Sequence, residues 1–78
     1  MPSNASIILY HTDACHLCEL AAELLDTAKV SYRMVDICDD QSLVEEYGIR
    51  IPVVKLVAVQ TELNWPFDLE ALEHFLGA

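Results

Sequence analysis

Short apolar runs and one clear helical stripe alternate along this chain. Ser6 to Tyr10 (SIILY) is an apolar run that predicts a strand, ended by the polar His11, Thr12 and Asp13. Leu17, Leu20, Ala21, Leu24, Leu25 and Ala28 then recur at spacings of three and four, with Glu19, Glu23 and Asp26 on the opposite face. That pattern predicts an amphipathic helix of about three turns, starting close to Cys15. Val30 to Ile37 (VSYRMVDI) is β-branched and aromatic enough for a second strand. Asp39-Asp40 can cap a short helix around Leu43, Val44 and Tyr47, with Gly48 as its stop. Ile51-Pro52 precedes a third strand-like run, Val53 to Val59. A turn near Ala58 to Gln60 returns the chain as Thr61 to Asn64, although it lacks the Gly or Asn that a tight hairpin prefers. Asp68 offers an N-cap for a last helix carrying Leu69, Leu72, Phe75 and Leu76 on one face.

The predicted order is β-α-β-α-β-β-α. Two strands joined by a helix are expected to lie parallel through a right-handed crossover, and the last two to form an antiparallel hairpin. The expected architecture is an α/β fold with a four-stranded mixed sheet covered by three helices.

Length and composition fit that picture. Seventy-eight residues suit one domain, 1–78, and 54% hydrophobic content supplies a core and argues against disorder. No apolar run approaches the ~20 residues of a membrane span. The opening MPSNAS has no basic flank before a hydrophobic stretch, so the expectation is a cytoplasmic protein. Thirteen acidic residues against four basic ones give a formal charge of -9. Nucleic acid and anionic membrane are therefore not expected as partners, because both require clustered Lys or Arg. The acidity fits a solvated exterior and also permits steering toward a basic protein surface.

Three cysteines are a poor disulfide framework, and two of them lie together as Cys15-His16-Leu17-Cys18. The predicted strand, loop and helix start give this pair its chemistry. Unpaired N–H groups and the positive end of the helix dipole favour a thiolate there. A free cysteine has a pKa near ~8.5, and a C-x-x-C pair at a helix N-terminus can lower it to ~3.5–7.5. Cys15 would attack a substrate disulfide, and Cys18, one turn later and more buried, would resolve the mixed disulfide. His16 in its charged form would favour the Cys15 thiolate, whereas Asp13 and Glu19 would oppose it. Two other readings stay open. The cysteines could be small buried hydrophobes, or half of a zinc site completed by His11, His16, Cys38 or His74, although no second C-x-x-C or H-x-x-x-H is present. His11 reads as a loop residue, and Cys38 reads as a packing thiol rather than a third redox partner.

The strand, the C-x-x-C helix and the later Ile51-Pro52 together resemble the thioredoxin superfamily and, within it, the glutaredoxins. Chain length and Tyr10, five residues before Cys15, favour the glutaredoxin type, as does Ala14 in the place of thioredoxin's Trp. The resemblance implies a thioredoxin-like fold over essentially the whole chain, with a cis Pro52 facing the dithiol and Ile51 offering its backbone to an extended thiol peptide. It implies no bound cofactor, and it leaves glutathione or a disulfide reductase as the electron donor. Several positions depart from the family. His16-Leu17 replaces Pro-Tyr between the cysteines, Thr12 stands where a basic residue is frequent, and Trp65-Pro66 replaces the Gly-Gly before the last helix. Asp68 could still hold an ammonium or simply cap, Arg50 could bind a carboxylate, and Trp65 with Phe67 could wall the dithiol or fill the core.

The leading expectation is a thiol–disulfide oxidoreductase acting on disulfides of proteins or small molecules. The alternatives are a thioredoxin-fold module that binds a partner peptide without catalysis, and a metal or iron–sulfur carrier.

Overall fold

The computed structural model describes residues 6–77, so the stretch judged above for a secretory signal lies, up to Ala5, outside them. The elements are β1 (Ile7–His11), α1 (His16–Thr27), β2 (Arg33–Asp36), a 3₁₀ turn (Ile37–Asp39), α2 (Gln41–Tyr47), β3 (Val53–Leu56), β4 (Thr61–Asn64) and α3 (Leu69–Phe75). The sheet order is β2-β1-β3-β4. β1 and β2 are parallel, while β1–β3 and β3–β4 are antiparallel.

Alternation along the central strands sends side chains to two faces. Leu9 and its cross-strand partner Val54 join Ala21, Leu25, Phe67 and Leu72 beneath α1 and α3. Ile8, Tyr10 and Val53 face the other way and pack with Ile37 and Tyr47 of the α2 side. Leu9, Leu25, Val53, Val54 and Leu72 are fully enclosed, each contributing roughly 1.5–3 kcal/mol of burial free energy.

Three predicted spans contract or shift. β1 runs one residue further, so His11 is its last strand residue rather than a loop residue. β2 begins only at Arg33, because Val30 and Tyr32 pack under α1 instead of pairing, and Tyr32 Oη donates to Asp26 at 3.1 Å. β3 ends at Leu56, where Val57–Gln60 turns the chain; Gln60 takes φ +54° and its Nε2 donates to the Val57 carbonyl at 2.8 Å. Leu17 is not on the buried stripe. Cys18, Ala21 and Leu25 define that face, and Leu17, one position off it in the first turn, is 45% exposed. α2 does stop at Gly48, but with φ -51° rather than a left-handed cap. A Cβ there would sit 2.5 Å from the Val44 carbonyl oxygen.

The antiparallel pairing of Tyr10 with Val53 and the parallel pairing of His11 with Asp36 bring several loops to one end of the sheet. The segment from His11 to Cys15, the turn holding Cys38, and the approach to β3 through Ile51-Pro52 all meet at that end. Among the described residues, no helix is long and apolar enough to cross a membrane.

Candidate functional site: the dithiol at the start of α1

Cys15 is itself the N-cap of α1, in extended backbone with φ -103° and ψ 100°. Its sulfur accepts a hydrogen bond from the Cys18 N–H at 3.2 Å. A cap normally supplies a side-chain oxygen to these unpaired donors; here the sulfur takes that place. Ala14, one residue earlier, has φ +59°, a left-handed conformation that costs an L-residue roughly 1–2 kcal/mol. It turns the chain from the strand end into the helix. Cys15 and Cys18 are joined as a disulfide with their Cα atoms 5.2 Å apart. Cys18 is 3% exposed and Cys15 is half-buried, so Cys18 is the more shielded of the two.

A groove of about 310 Å³ opens beside the pair, lined by the His11–Cys15 segment, Cys18, Glu19, Ala22 and Met34. Met34 was not anticipated as a site residue, although strand alternation puts it on the face of Leu9, its β1 partner. His16 lies outside the lining. It is exposed at the first helical position, with Nδ1 3.6 Å from the Glu19 carboxylate.

Ile51-Pro52 and Trp65-Pro66 are both cis peptides. Pro52 is buried and immediately precedes Val53, the partner of Tyr10, which sets it at the dithiol end of the sheet. Tyr10 itself points to the opposite face, where its ring stacks on Tyr47 at 4.2 Å.

The remaining candidates are occupied elsewhere. Arg50 does bind a carboxylate, but the carboxylate belongs to this chain. Its Nη2 donates to Glu62 at 2.6 Å and Asn64 at 3.1 Å, its Nη1 donates to Glu46 at 3.1 Å, and its guanidinium lies over the Tyr47 ring. Asp68 caps α3 by accepting from the Ala71 N–H at 2.8 Å. It borders a separate depression with Leu63, His74 and Phe75 that contains neither cysteine of the pair. Trp65 packs edge-on against Phe67, centroids 5.0 Å apart; Phe67 belongs to the core under α1 and α3, and the half-buried Trp65 packs against it.

Cys38 is not a packing thiol. Its neighbour Ile37 takes the buried position, and Cys38 is exposed and free on the 3₁₀ turn. Its Sγ is hydrogen-bonded to Thr12 Oγ1 at 3.2 Å, and its N–H donates to Asp36 at 2.9 Å. That N–H is the main reason the Asp36 carboxyl lies below its ordinary range, with Thr12 and His11 adding to the effect. Among the described residues, no three His, Cys, Asp or Glu side chains gather into a group able to hold a metal ion.

The family model described as Glutaredoxin-like domain (DUF836) matches residues 6–77. An X-ray structure of protein XcR50 from X. campestris is 40% identical, with a TM-score of 0.85 over 91% of this chain and 95% of that one. The glutaredoxin of Archaeoglobus fulgidus is 18% identical with a TM-score of 0.70, covering 95% of this chain and 88% of that chain. The thioredoxin-like protein BC3987 is 22% identical with a TM-score of 0.69, over 92% and 95% of the two chains. The last two share the fold. No curated protein matches the chain.

Proposed function

This chain belongs to the glutaredoxin-like domain family, and from that premise we propose that it is a thiol–disulfide oxidoreductase whose reacting groups are Cys15 and Cys18. The observation that carries the proposal is the Cys18 N–H aimed at the Cys15 sulfur at the mouth of a groove. A donor in that place stabilises negative charge on the sulfur, and the thiolate is the nucleophile of disulfide exchange.

In the reduced protein, the Cys15 thiolate attacks one sulfur of a substrate disulfide. A Cys15–substrate bond forms, the substrate S–S bond breaks, and the departing thiolate takes up a proton. Cys18, deprotonated, then attacks Cys15 Sγ. The mixed disulfide breaks, the second substrate thiol leaves with a proton, and the Cys15–Cys18 disulfide remains. Two electrons pass from the protein to the substrate. In the disulfide form the two Cα atoms stand 5.2 Å apart, within the ordinary span of such a bridge. A thiol donor, glutathione or a reductase, returns the pair to the dithiol by the same exchange.

Exchange with a chromogenic disulfide tests the proposal. Reduced protein is expected to turn over one equivalent through Cys15–Cys18, Cys15→Ser to lose the reaction, and Cys18→Ser to accumulate a covalent adduct on Cys15. Undiminished reduction by Cys15→Ser would overturn it.

A further inference from the structure

The chain has four lysine and arginine residues against thirteen acidic ones, and none of the four lines the groove. Lys29 follows the far end of α1, beyond twelve helical residues, which at ~1.5 Å per residue is roughly 18 Å from the dithiol. Arg33 opens β2 opposite Ile8, next to the lining residue Met34 but on the other face of the sheet. Lys55 sits mid-sheet between Ile8 and Glu62. Arg50 is held by Glu46, Glu62 and Asn64. The groove is instead flanked by the exposed carboxylates of Asp13 and Glu19. His11 is the one histidine in the lining, and His16 lies outside it and faces Glu19.

An anionic disulfide such as that of glutathione would meet two carboxylates there and no lysine or arginine. It would also bring negative charge toward a thiolate that already feels both. Cations flanking the substrate disulfide reverse each term, since they pair with Asp13 and Glu19 and relieve their repulsion of the attacking sulfur. Resting on the oxidoreductase reading above, we infer that the substrate is a protein disulfide flanked by lysine or arginine, with Asp13 and Glu19 as the residues that select it. The two carboxylates set the preference through charge and take no part in the bonds made and broken.

The test uses peptide disulfides of one core sequence flanked by lysines, serines or glutamates, together with glutathione disulfide. Rate constants for the reduced protein are measured by stopped flow at low salt, beside those of Asp13→Asn/Glu19→Gln. The ratio of the lysine to the serine peptide is compared between the two proteins, so that the leaving-group acidity of each peptide and any change in Cys15 reactivity cancel. The wild-type ratio is expected to exceed the variant ratio by roughly three- to tenfold. Salt at about 0.5 M should shrink the wild-type preference by screening, which gives a second reading independent of the variant. Equal ratios in the two proteins, or a salt-independent preference, would overturn the selection by charge while leaving the oxidoreductase reading intact. Reaction with none of the disulfides would overturn that reading and the inference with it.

Discussion

The Cys18 backbone nitrogen lies 3.2 Å from the sulfur of Cys15, so the buried cysteine's N–H holds the charge-bearing position of its half-buried partner. This geometry and the unequal burial of the two sulfurs predict an order of reactivity. In the fully reduced protein at neutral pH, iodoacetamide is expected to label Cys15 at least about tenfold faster than Cys18. In the oxidised protein only the exposed Cys38 should take label. Peptide mass spectrometry of a timed alkylation series reads both. Equal labelling of Cys15 and Cys18 would contradict the asymmetry.

Glu62 links α2, the loop before β3 and β4. Tyr47 Oη and Arg50 Nη2 each donate to it at 2.6 Å. The Tyr47 hydrogen bond, supported by Arg50, holds the Glu62 carboxyl below its ordinary range. A depressed carboxyl contributes stability that is complete above its unfolded value, near ~4.3, and is lost as pH falls through the folded value. The Tyr47 phenol is pushed up, by burial first and by Glu62 second, so its contribution holds below about pH 10 and is lost as pH rises beyond that. With Arg50 about one-third exposed, Glu62→Gln should cost about 1 kcal/mol at pH 7. In a domain of this size that is a fall of roughly 4–8 °C in Tm. The gap from the parent protein should narrow as pH falls below the ordinary carboxylate range and through the lowered Glu62 value. A gap of constant size from pH 7 to pH 3 would show that charge is not its origin.

Asp68 accepts from the Ala71 N–H at the start of α3, and Leu72 of that helix is fully buried in the core. Asp68→Ala should therefore lower unfolding stability by about 1 kcal/mol, measured by urea titration. Asp68→Asn, which caps nearly as well, should restore most of it. An Asn variant as unstable as the Ala variant would mean that the carboxylate's charge, not the cap, is what the helix uses.

The fold was most legible where its causes are local. Asp40 and Asp68 cap because a short side-chain acceptor can reach an N–H two or three residues on. β4 falls on Thr61–Asn64 as its pattern indicates, and the parallel and hairpin pairings follow from the order of elements. The cysteine pair at the head of α1 was legible for the same reason, since i, i+3 spacing is a property of the helix itself. The end of β3 was legible in part: the turn expected near Ala58 to Gln60 is there, but it opens at Val57 inside the strand-like run, and Gln60 closes it with its own amide, a bond that composition does not reveal. Arg50 looked available because its partners Glu62 and Asn64 lie 12 and 14 residues away, on a strand brought beside it only by the sheet. Cys38 looked apolar by type, and only the 3₁₀ turn, which buries Ile37 in its stead, exposes it.

The two outermost strands, β2 and β4, are each four residues long, about 13 Å of free edge apiece. Each interrupts its short edge with charge: Arg33 and Asp36 on one side, Glu62 on the other. Edges this brief and this charged are poor templates for a further strand. The consequence is resistance to edge-to-edge aggregation, and the same two features make lateral addition of a further strand an unfavourable route of association.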